Sequence, residues 1–243
     1  MNIIKLDAID STNDFLKDLS RNQLLENFTT VVAHNQTKGK GQMGATWNSE
    51  AGKNLIMSVL IKDVLQHIDE IFHLNVAVAL SVIQVLEAYN IPKLAIKWPN
   101  DILSDTKKLG GILIENSFKS DNTIESVVGI GLNVNQKDFQ NLPKASSLAL
   151  VKEQEFDVNS ILERIIAQIQ TNCTSFVSPS REELWNAYHR QLFKIHIPMP
   201  FEDFAQNQFM GIIQGVTPDG KLQVLLENDA VATFGVKEIQ MLY

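Results

Sequence analysis

The stretch from Gln36 to Trp47 reads Gln-Thr-Lys-Gly-Lys-Gly-Gln-Met-Gly-Ala-Thr-Trp. We call residues 39–44, which begin and end with glycine, the glycine-rich loop. Glycine lets the main chain approach a ligand closely, and exposed N–H groups in such a loop can surround an anion. Apolar runs at 31–33 and 55–61 flank the stretch, which favours a loop between two strands. The loop therefore either binds a ligand or is a flexible surface hairpin.

Two common nucleotide-binding motifs are absent from the sequence. A P-loop needs a lysine directly after its last glycine, and Ala45 follows Gly44 here. No helix signal follows the loop either. The run at 129–134 begins a dinucleotide-binding Gly-x-Gly-x-x-Gly motif, but a valine replaces its third glycine. Any nucleotide site in this chain must be built differently.

The composition limits the class of protein. The chain has 243 residues, 44% of them hydrophobic, and a formal net charge of −7, as is typical of a soluble globular protein. The acidic balance argues against a general binder of nucleic acids or anionic membranes. No apolar run approaches twenty residues and no signal-peptide pattern is present, so we expect a cytoplasmic protein. A single cysteine, Cys173, excludes an internal disulfide.

A short polar run stands on the N-terminal side of the loop. Residues 3–9 predict a strand, and Ser11 predicts the N-cap of the helix that follows. Ser11-Thr12-Asn13 would therefore lie at a strand-to-helix turn, where hydroxyls, an amide and free N–H groups face a small ligand. Plain helix capping explains Ser11 alone.

A second polar run follows an apolar strand at 95–97. It reads Lys97-Trp98-Pro99-Asn100-Asp101. Proline fixes the main chain, so Asn100 and Asp101 should lie at a rigid corner that binds a polar head group or holds Mg²⁺ through water. The alternative is an ordinary turn. Lys97 weakens that alternative, because a lysine within an apolar strand needs a partner such as a ligand phosphate.

Two predicted strands carry glycines. One opens with Lys108-Leu109-Gly110-Gly111, and the other is Gly129-Ile130-Gly131-Leu132-Asn133. Glycine within a strand indicates close approach of another group to the main chain. Lys108 reaches toward the glycine-rich loop if the strands are neighbours, and is otherwise a solvated turn lysine. Asn133 stands at a strand end, where a ligand can bind.

The remaining sequence predicts the general architecture. A helical period from about Gln66 to Tyr89 predicts a long, mostly buried helix. After Pro200 the sequence changes to short alternating strands separated by turns, which indicates a small β-barrel.

These motifs together resemble the biotin–protein ligases, including biotin–[acetyl-CoA-carboxylase] ligase. The resemblance covers essentially the whole chain. It rests on Ser11-Thr12-Asn13, on Gln36 with the glycine-rich loop and Trp47, on Lys97-Trp98-Pro99-Asn100-Asp101, on Lys108-Leu109-Gly110-Gly111 and on Gly129-Ile130-Gly131-Leu132-Asn133. It implies an α+β fold in which residues 1–190 form a mixed β-sheet packed with helices, of the class II synthetase and biotin ligase kind. Residues 191–243 would form a small SH3-like β-barrel.

The resemblance also implies a two-step reaction. The carboxylate of biotin attacks the α-phosphate of Mg·ATP, giving biotinyl-5′-adenylate and pyrophosphate. A lysine of a biotin carboxyl carrier protein then attacks the adenylate. The implied small molecules are ATP, Mg²⁺ and biotin, and the implied partner is the carrier protein of acetyl-CoA carboxylase or a similar enzyme.

Residue roles follow from the same resemblance. The implied biotin-binding residues are Ser11, Thr12, Asn13, Gln36, Gly39, Lys40, Gln42, Lys108 and Gly111. The implied nucleotide-binding residues are Lys40, Gln42, Trp47, Lys97, Asn100 and Asn133. The implied catalytic residues are Lys97, Asp101 and Lys108. The ligands of Mg²⁺ stay undetermined, with Asp101 as the candidate.

The chain departs from the family pattern in its loop. The family usually has Gly-Arg-Gly-Arg-Arg-Gly, whereas this chain has Lys40, Gln42 and Met43 at the arginine positions. Lysine lacks the planar fork of arginine, and glutamine lacks its charge. We therefore predict that the adenylate is held less tightly than in an arginine-bearing loop, and that Gln42→Arg slows its dissociation.

Three further expectations concern alternatives and partners. The first motif begins at Ser11, which leaves no room before it for the helix-turn-helix domain of some relatives, so we expect no DNA binding. A monomer or a side-by-side homodimer is expected from the resemblance. The rival functions are a lipoate–protein ligase or octanoyl transferase of related fold, and a non-catalytic regulator that binds biotin or a nucleotide.

Overall fold

A computed structural model describes residues 2–65, 67–119, 123–139, 142–174 and 180–243. The helices are α1 (Thr12–Asn22), α2 (Ile71–Ala88), α3 (Leu148–Lys152), α4 (Val158–Thr174) and α5 (Ser180–Arg190). The strands of the first sheet are β1 (Ile3–Ile9), β2 (Thr30–Gln36), β3 (Leu55–Ile61), β4 (Leu94–Lys97), β5 (Asp101–Ser104), β6 (Lys107–Phe118) and β7 (Ile124–Leu132). Those of the second sheet are β8 (Pro198–Asp203), β9 (Gln208–Val216), β10 (Leu222–Leu226), β11 (Val231–Phe234) and β12 (Ile239–Met241).

The first sheet is mixed and has the order β1-β2-β3-β7-β6-β5-β4. Strands β1 and β2 are parallel, and the other neighbouring pairs are antiparallel. The second sheet is antiparallel, with the order β11-β10-β9-β8-β12. A large mixed sheet with helices and a small separate β-module confirm the predicted α+β class.

Strand β3 is an interior strand of the first sheet, between β2 and β7. All seven of its residues are buried, which explains why the sequence there is an unbroken apolar run with a single serine. The glycine-rich loop connects β2 to β3, as the flanking apolar runs predicted. Its position places the loop over the central strands of the sheet.

Helix α2 supplies much of the core. It packs against α4, and residues from Leu74 to Leu86 are nearly all buried. The prediction of a long buried helix is confirmed, although the helix begins at Ile71 after a short 3₁₀ turn, and Gln66 lies outside the described residues. By length and composition α2 could also cross a membrane, but 67% of it is buried inside the fold, as in the core helix of a globular protein.

The second sheet contacts the first at the Trp98 corner. The indole N–H of Trp98 donates a hydrogen bond of 2.9 Å to the main-chain oxygen of Gly220. Gly220 has φ +88°, and a Cβ added there would lie 2.4 Å from the ring of Phe72 on α2. The N–H of Val216 donates to His189 Nε2 at 3.1 Å, which ties β9 to α5. The predicted boundary after residue 190 falls between α5 and β8 and stays a prediction.

Candidate active site

A cavity of about 210 Å³ opens where α1 begins, beneath the glycine-rich loop and against β5, β6 and β7. Most of the residues that the sequence predicts for the site border this cavity. They are Ser11, Thr12, Asn13, Gln36, Lys40, Gln42, Trp47, Asn100, Asp101, Lys108 and Gly111. Three predicted residues, Gly39, Lys97 and Asn133, do not border it.

Buried hydroxyl and amide groups form one end of the cavity, which we call the polar end. The N–H of Thr12 donates to Gln36 Oε1 at 2.7 Å, and Thr12 Oγ1 lies 3.0 Å from the same oxygen. Ser58 Oγ lies 2.8 Å from Thr12 Oγ1 and 2.5 Å from Asn13 Oδ1. Ser11 caps α1 by accepting a 3.4 Å hydrogen bond from the N–H of Asp14, as predicted.

Ser58 lies behind the polar end, does not border the cavity, and supports two residues that do; the sequence analysis missed it. It is fully buried, and it is the one polar residue in the apolar run of β3. A buried hydroxyl needs hydrogen-bond partners, and here it finds them only on Thr12 and Asn13 among the described residues. The single serine within the run was the available signal.

The carboxamide of Asn13 is held from several sides. Its Nδ2 donates to Glu115 Oε2 at 2.8 Å, and Lys17 pairs with the other oxygen of Glu115 at 2.7 Å. A Cβ on Gly129 would lie 2.5 Å from Asn13 Oδ1. Strand β7 therefore needs glycine at position 129, because a side chain there would displace the carboxamide.

The glycine-rich loop is an ordered hairpin. The N–H of Gly41 donates to the main-chain oxygen of Ala45 at 2.7 Å, and the N–H of Trp47 donates to that of Gly39 at 2.9 Å. A Cβ on Gly39 would lie 2.3 Å from the main-chain oxygen of Trp47, so position 39 requires glycine. Gly39 thus shapes the loop rather than bordering the cavity, and ligand binding by the loop stays a prediction.

Lys40 connects this loop to α1. Its Nζ lies 2.6 Å from Asp14 Oδ2, and Lys17 pairs with the other oxygen of Asp14 at 3.1 Å. Partial burial raises the pKa of Asp14, but hydrogen bonds from Lys40 and then Lys17 outweigh it and hold the pKa below its usual value. The aspartate therefore stays ionised at neutral pH, and the ion pair holds the loop over the polar end.

Trp47 forms one wall of the cavity. A Cβ on Gly131 would lie 2.5 Å from the Trp47 ring, so β7 accepts the indole only because residue 131 is glycine. The indole Nε1 is buried and has no hydrogen-bond partner among the described residues. A buried unsatisfied donor costs free energy, so this N–H is available for an acceptor on a ligand.

Lys108 and Asp101 form the opposite end, which we call the cationic end. Their side chains pair at 2.6 Å, and Lys108 Nζ lies 5.9 Å from the centre of the Trp47 ring. Asn100 Nδ2 donates to the main-chain oxygen of Ile112 at 2.6 Å, which fixes the corner before Asp101. Lys108 is thus a held cavity residue rather than a solvated turn lysine.

Lys97 lies beside this end rather than in the cavity. It faces Asp101 across the β4–β5 pair, and its ammonium is 5.4 Å from the centre of the Tyr243 ring. Burial lowers the pKa of Lys97; Asp101 opposes this shift, and the charges of Lys108 and Lys144 add to it.

Asn133 has a structural position. Its buried Nδ2 donates to the main-chain oxygen of Ser146 at 3.0 Å, and its main-chain groups pair with Leu109 and Leu148. The side chain therefore holds the segment before α3 against the sheet. A nucleotide contact by Asn133 stays a prediction.

The described residues contain no group of three or more His, Cys, Asp or Glu side chains that could hold a metal ion. Asp101 is the one acidic residue that borders the cavity among them, and it is paired with Lys108. This donor set fits a Mg²⁺ ion that arrives on the phosphates of a nucleotide better than one held by the protein alone.

Comparison with known proteins agrees with this geometry. The model of the Biotin/lipoate A/B protein ligase family matches residues 6–135 of the sequence. The chain belongs to this family. The matched segment contains the polar end, the glycine-rich loop, Lys97 and the cationic end.

Several proteins that are similar to this chain are named as biotin ligases. The bifunctional ligase/repressor BirA of Bacillus spizizenii is 32% identical over 76% of the chain, which spans 59% of the length of that relative. The biotin–[acetyl-CoA-carboxylase] ligase of Mycobacterium tuberculosis is 27% identical over 79% of the chain and 71% of the relative. The structure of Aquifex aeolicus biotin protein ligase in complex with biotin and ATP has a TM-score of 0.80 and 26% identity, covering 99% of this chain and 98% of the other.

Proposed function

We propose that this protein is an ATP-dependent biotin–protein ligase, a biotin–[acetyl-CoA-carboxylase] ligase, that works through biotinyl-5′-adenylate. The observation that carries the proposal is the pairing of a buried polar end with a cationic end in one cavity. The ureido ring of biotin has two N–H donors and one carbonyl acceptor, which match the hydroxyl and amide groups of Thr12 and Asn13, held from behind by Ser58.

The same observation separates biotin from lipoate. The dithiolane ring of lipoate has no N–H or carbonyl group, so it would form no hydrogen bond with the polar end. A site built to hydrogen-bond a ligand rejects an analogue that lacks the bonding groups, often by several orders of magnitude. The names of the relatives point the same way.

In the first step, the carboxylate of biotin forms a bond to the α-phosphorus of ATP, and pyrophosphate leaves. Two anions must approach each other, so positive charge at the reacting groups lowers the barrier. Lys108 supplies this charge and Asp101 orients it through the 2.6 Å pair. The orphan N–H of Trp47 offers a hydrogen bond to the adenylate, and Lys40 keeps the glycine-rich loop closed against water.

In the second step, the amine of a carrier lysine forms an amide with the biotinyl carbon, and AMP leaves. The amine must lose a proton before or during this attack. Asp101 is the acidic side chain that borders the cavity within the described part of the chain, and we assign it this proton or the orientation of the amine. The carrier protein is that of acetyl-CoA carboxylase or a similar biotin-dependent enzyme.

Mass spectrometry of a biotin carboxyl carrier domain tests the proposal. After incubation with this protein, Mg·ATP and biotin, the carrier should gain one biotinyl group. The gain should be absent with lipoate and fall at least a hundredfold with Lys108→Ala, since loss of one charge-stabilising group costs about 10²–10³ in rate. Transfer of lipoate would assign the protein to the sister activity. Absence of both the adduct and bound adenylate would favour the non-catalytic regulator.

The proposal places the reaction in the cytoplasm, where carrier and ATP meet. Absence of DNA binding and the monomeric or dimeric state stay predictions for this chain. The Bacillus relative is named a repressor as well as a ligase, so DNA binding needs its own measurement.

A further inference from the structure

The last residue of the sequence lies beside the cationic end. Tyr243 follows β12, and its ring packs edge-on against Phe193 with the ring centres 5.0 Å apart. Lys144 Nζ lies 4.1 Å from the centre of the Tyr243 ring and donates a 2.6 Å hydrogen bond to the main-chain oxygen of the same residue. The ring is therefore held from two sides.

Lys97 is the third side chain at this ring. Its Nζ lies 5.4 Å from the ring centre, and it forms no ion pair with any described residue, because Asp101 is paired with Lys108. Partial burial of an ammonium without a carboxylate is costly, and it lowers the pKa of Lys97. A cation–π contact offsets part of this cost.

The kind of contact decides what Lys97 can do. A carboxylate would occupy the N–H donors of the ammonium, whereas the face of an aromatic ring attracts the charge and leaves those donors free. Burial, and then the charge of Asp101, raises the pKa of Tyr243, so the phenol stays neutral beside them.

We infer that the Tyr243 ring is a positioning group that holds the Lys97 ammonium free to bind the β- and γ-phosphates of ATP, with Lys144 as the tether of the ring. The inference rests on the proposed function for its substrate. Lys97 does not border the cavity, but it faces Asp101, which does. When the α-phosphate reacts inside the cavity, the β- and γ-phosphates therefore extend toward Lys97.

The decisive variants are Tyr243→Leu, which removes the ring, and Tyr243→Phe, which keeps it. Tyr243→Leu should raise KM for ATP about three- to tenfold, the range of a partly desolvated cation–π contact, with kcat and KM for biotin unchanged. Tyr243→Phe should restore KM for ATP to within about twofold of the wild type, because the ring rather than the hydroxyl holds the ammonium.

A pH profile separates this role from a general structural one. KM for ATP should rise at alkaline pH as Lys97 loses its proton, beginning below the ordinary lysine pKa of 10.5 because burial lowers it. The ring stabilises the charged form, so its removal lowers the pKa further. The rise should therefore begin at lower pH in Tyr243→Leu than in Tyr243→Phe, and a loosened chain end alone would not move it.

One lysine variant and one arginine variant, each removing a cation from an aromatic ring, provide a matched comparison of KM for ATP. Lys144→Met removes a cation from the Tyr243 ring and should raise KM for ATP. Arg164→Met removes a cation that lies 5.2 Å from the Tyr89 ring, away from the cavity, and should leave KM for ATP unchanged. Equal effects of the two variants would contradict a specific tether.

Calorimetric binding of a non-hydrolysable ATP analogue in the presence of biotin distinguishes failure of the inference from failure of the proposed function. An active wild-type enzyme whose affinity for the analogue and pH profile are the same in Tyr243→Leu overturns the inference alone. A wild-type protein that modifies no carrier, but whose affinity for the analogue falls in Tyr243→Leu, overturns the transfer activity alone. A protein that neither binds nor transfers overturns both.

Discussion

Ser58 is the residue on which the polar end depends. It is fully buried in the interior strand β3, and its hydroxyl lies within hydrogen-bond distance of both Thr12 and Asn13. Those two residues come from the start of α1, so one hydroxyl joins a helix to the middle of the sheet. The ligand-facing amide of Asn13 is in this way set by the core rather than by the surface.

Substitution of this hydroxyl tests its role. Ser58→Ala should weaken biotin binding about fivefold, since a hydrogen bond contributes about 1 kcal/mol and 1.4 kcal/mol corresponds to a factor of ten. Ser81→Ala is the matched control, because Ser81 is equally buried and bonded to Ala77 and Asn172 but lies on α2, away from the cavity. Calorimetry with biotin should separate the two variants, and similar biotin affinities would contradict the role assigned to Ser58.

Strand β7 is the element that runs along both the polar end and the Trp47 wall of the cavity. It presents Gly129 to Asn13 at the polar end and Gly131 to Trp47 at the cavity wall, two residues apart on the same face. One strand thus allows two different side chains to approach its main chain. The two glycines do not form a dinucleotide-binding motif. They are explained instead by the space that the neighbouring side chains need.

The two glycines should therefore control different ligands. Gly129→Ala displaces the Asn13 carboxamide and should weaken biotin binding, with a smaller effect on nucleotide. Gly131→Ala displaces the Trp47 ring and should weaken nucleotide binding, with a smaller effect on biotin. Separate titrations with biotin and with an ATP analogue measure both effects. If each variant weakened both ligands equally, the division of the cavity into two ends would be wrong.

The second sheet reaches the site at several points, which makes the molecule a single functional unit. Gly220 accepts from Trp98, Lys237 donates to the main-chain oxygen of Met43 at 2.9 Å, and Tyr243 contacts Lys97. These contacts involve, in turn, the corner at Trp98, the glycine-rich loop and Lys97. Loss of the C-terminal module would disturb each of them.

Gly220, where the second sheet meets the rest of the fold, tests how much this contact stabilises the protein. Gly220→Ala should lower the free energy of unfolding by about 1–3 kcal/mol for its positive φ, and by more for its contact with Phe72. Gly52→Ala is the control, because Gly52 also has a positive φ of +71° but has no atom nearer than 3.7 Å to its added Cβ. Urea unfolding of both variants should show the larger loss for Gly220→Ala, and equal losses would mean that packing at the junction contributes little.

The sequence predicted those parts of the molecule that local patterns specify. Ser11 at a helix cap, the loop between two apolar strands and Lys108 beside glycines were all visible as short-range signals, and the structure places them at one cavity. Ser58, Asp14, Lys144 and Tyr243 were not identified, because their roles come from contacts between distant segments. The numbering does not reveal, for example, that Lys144 and Tyr243 meet at a distance of 4.1 Å beside Lys97.

The indole N–H of Trp47, which has no hydrogen-bond partner in the described part of the chain, has a practical consequence. The sequence contains three tryptophans, and the other two are already engaged, Trp98 by hydrogen bonding to Gly220 and Trp185 by packing among aromatic rings. A bound ligand that accepts from Nε1 changes the surroundings of Trp47 alone. Its ultraviolet emission is therefore a label-free optical signal of cavity occupancy, already present in the natural chain.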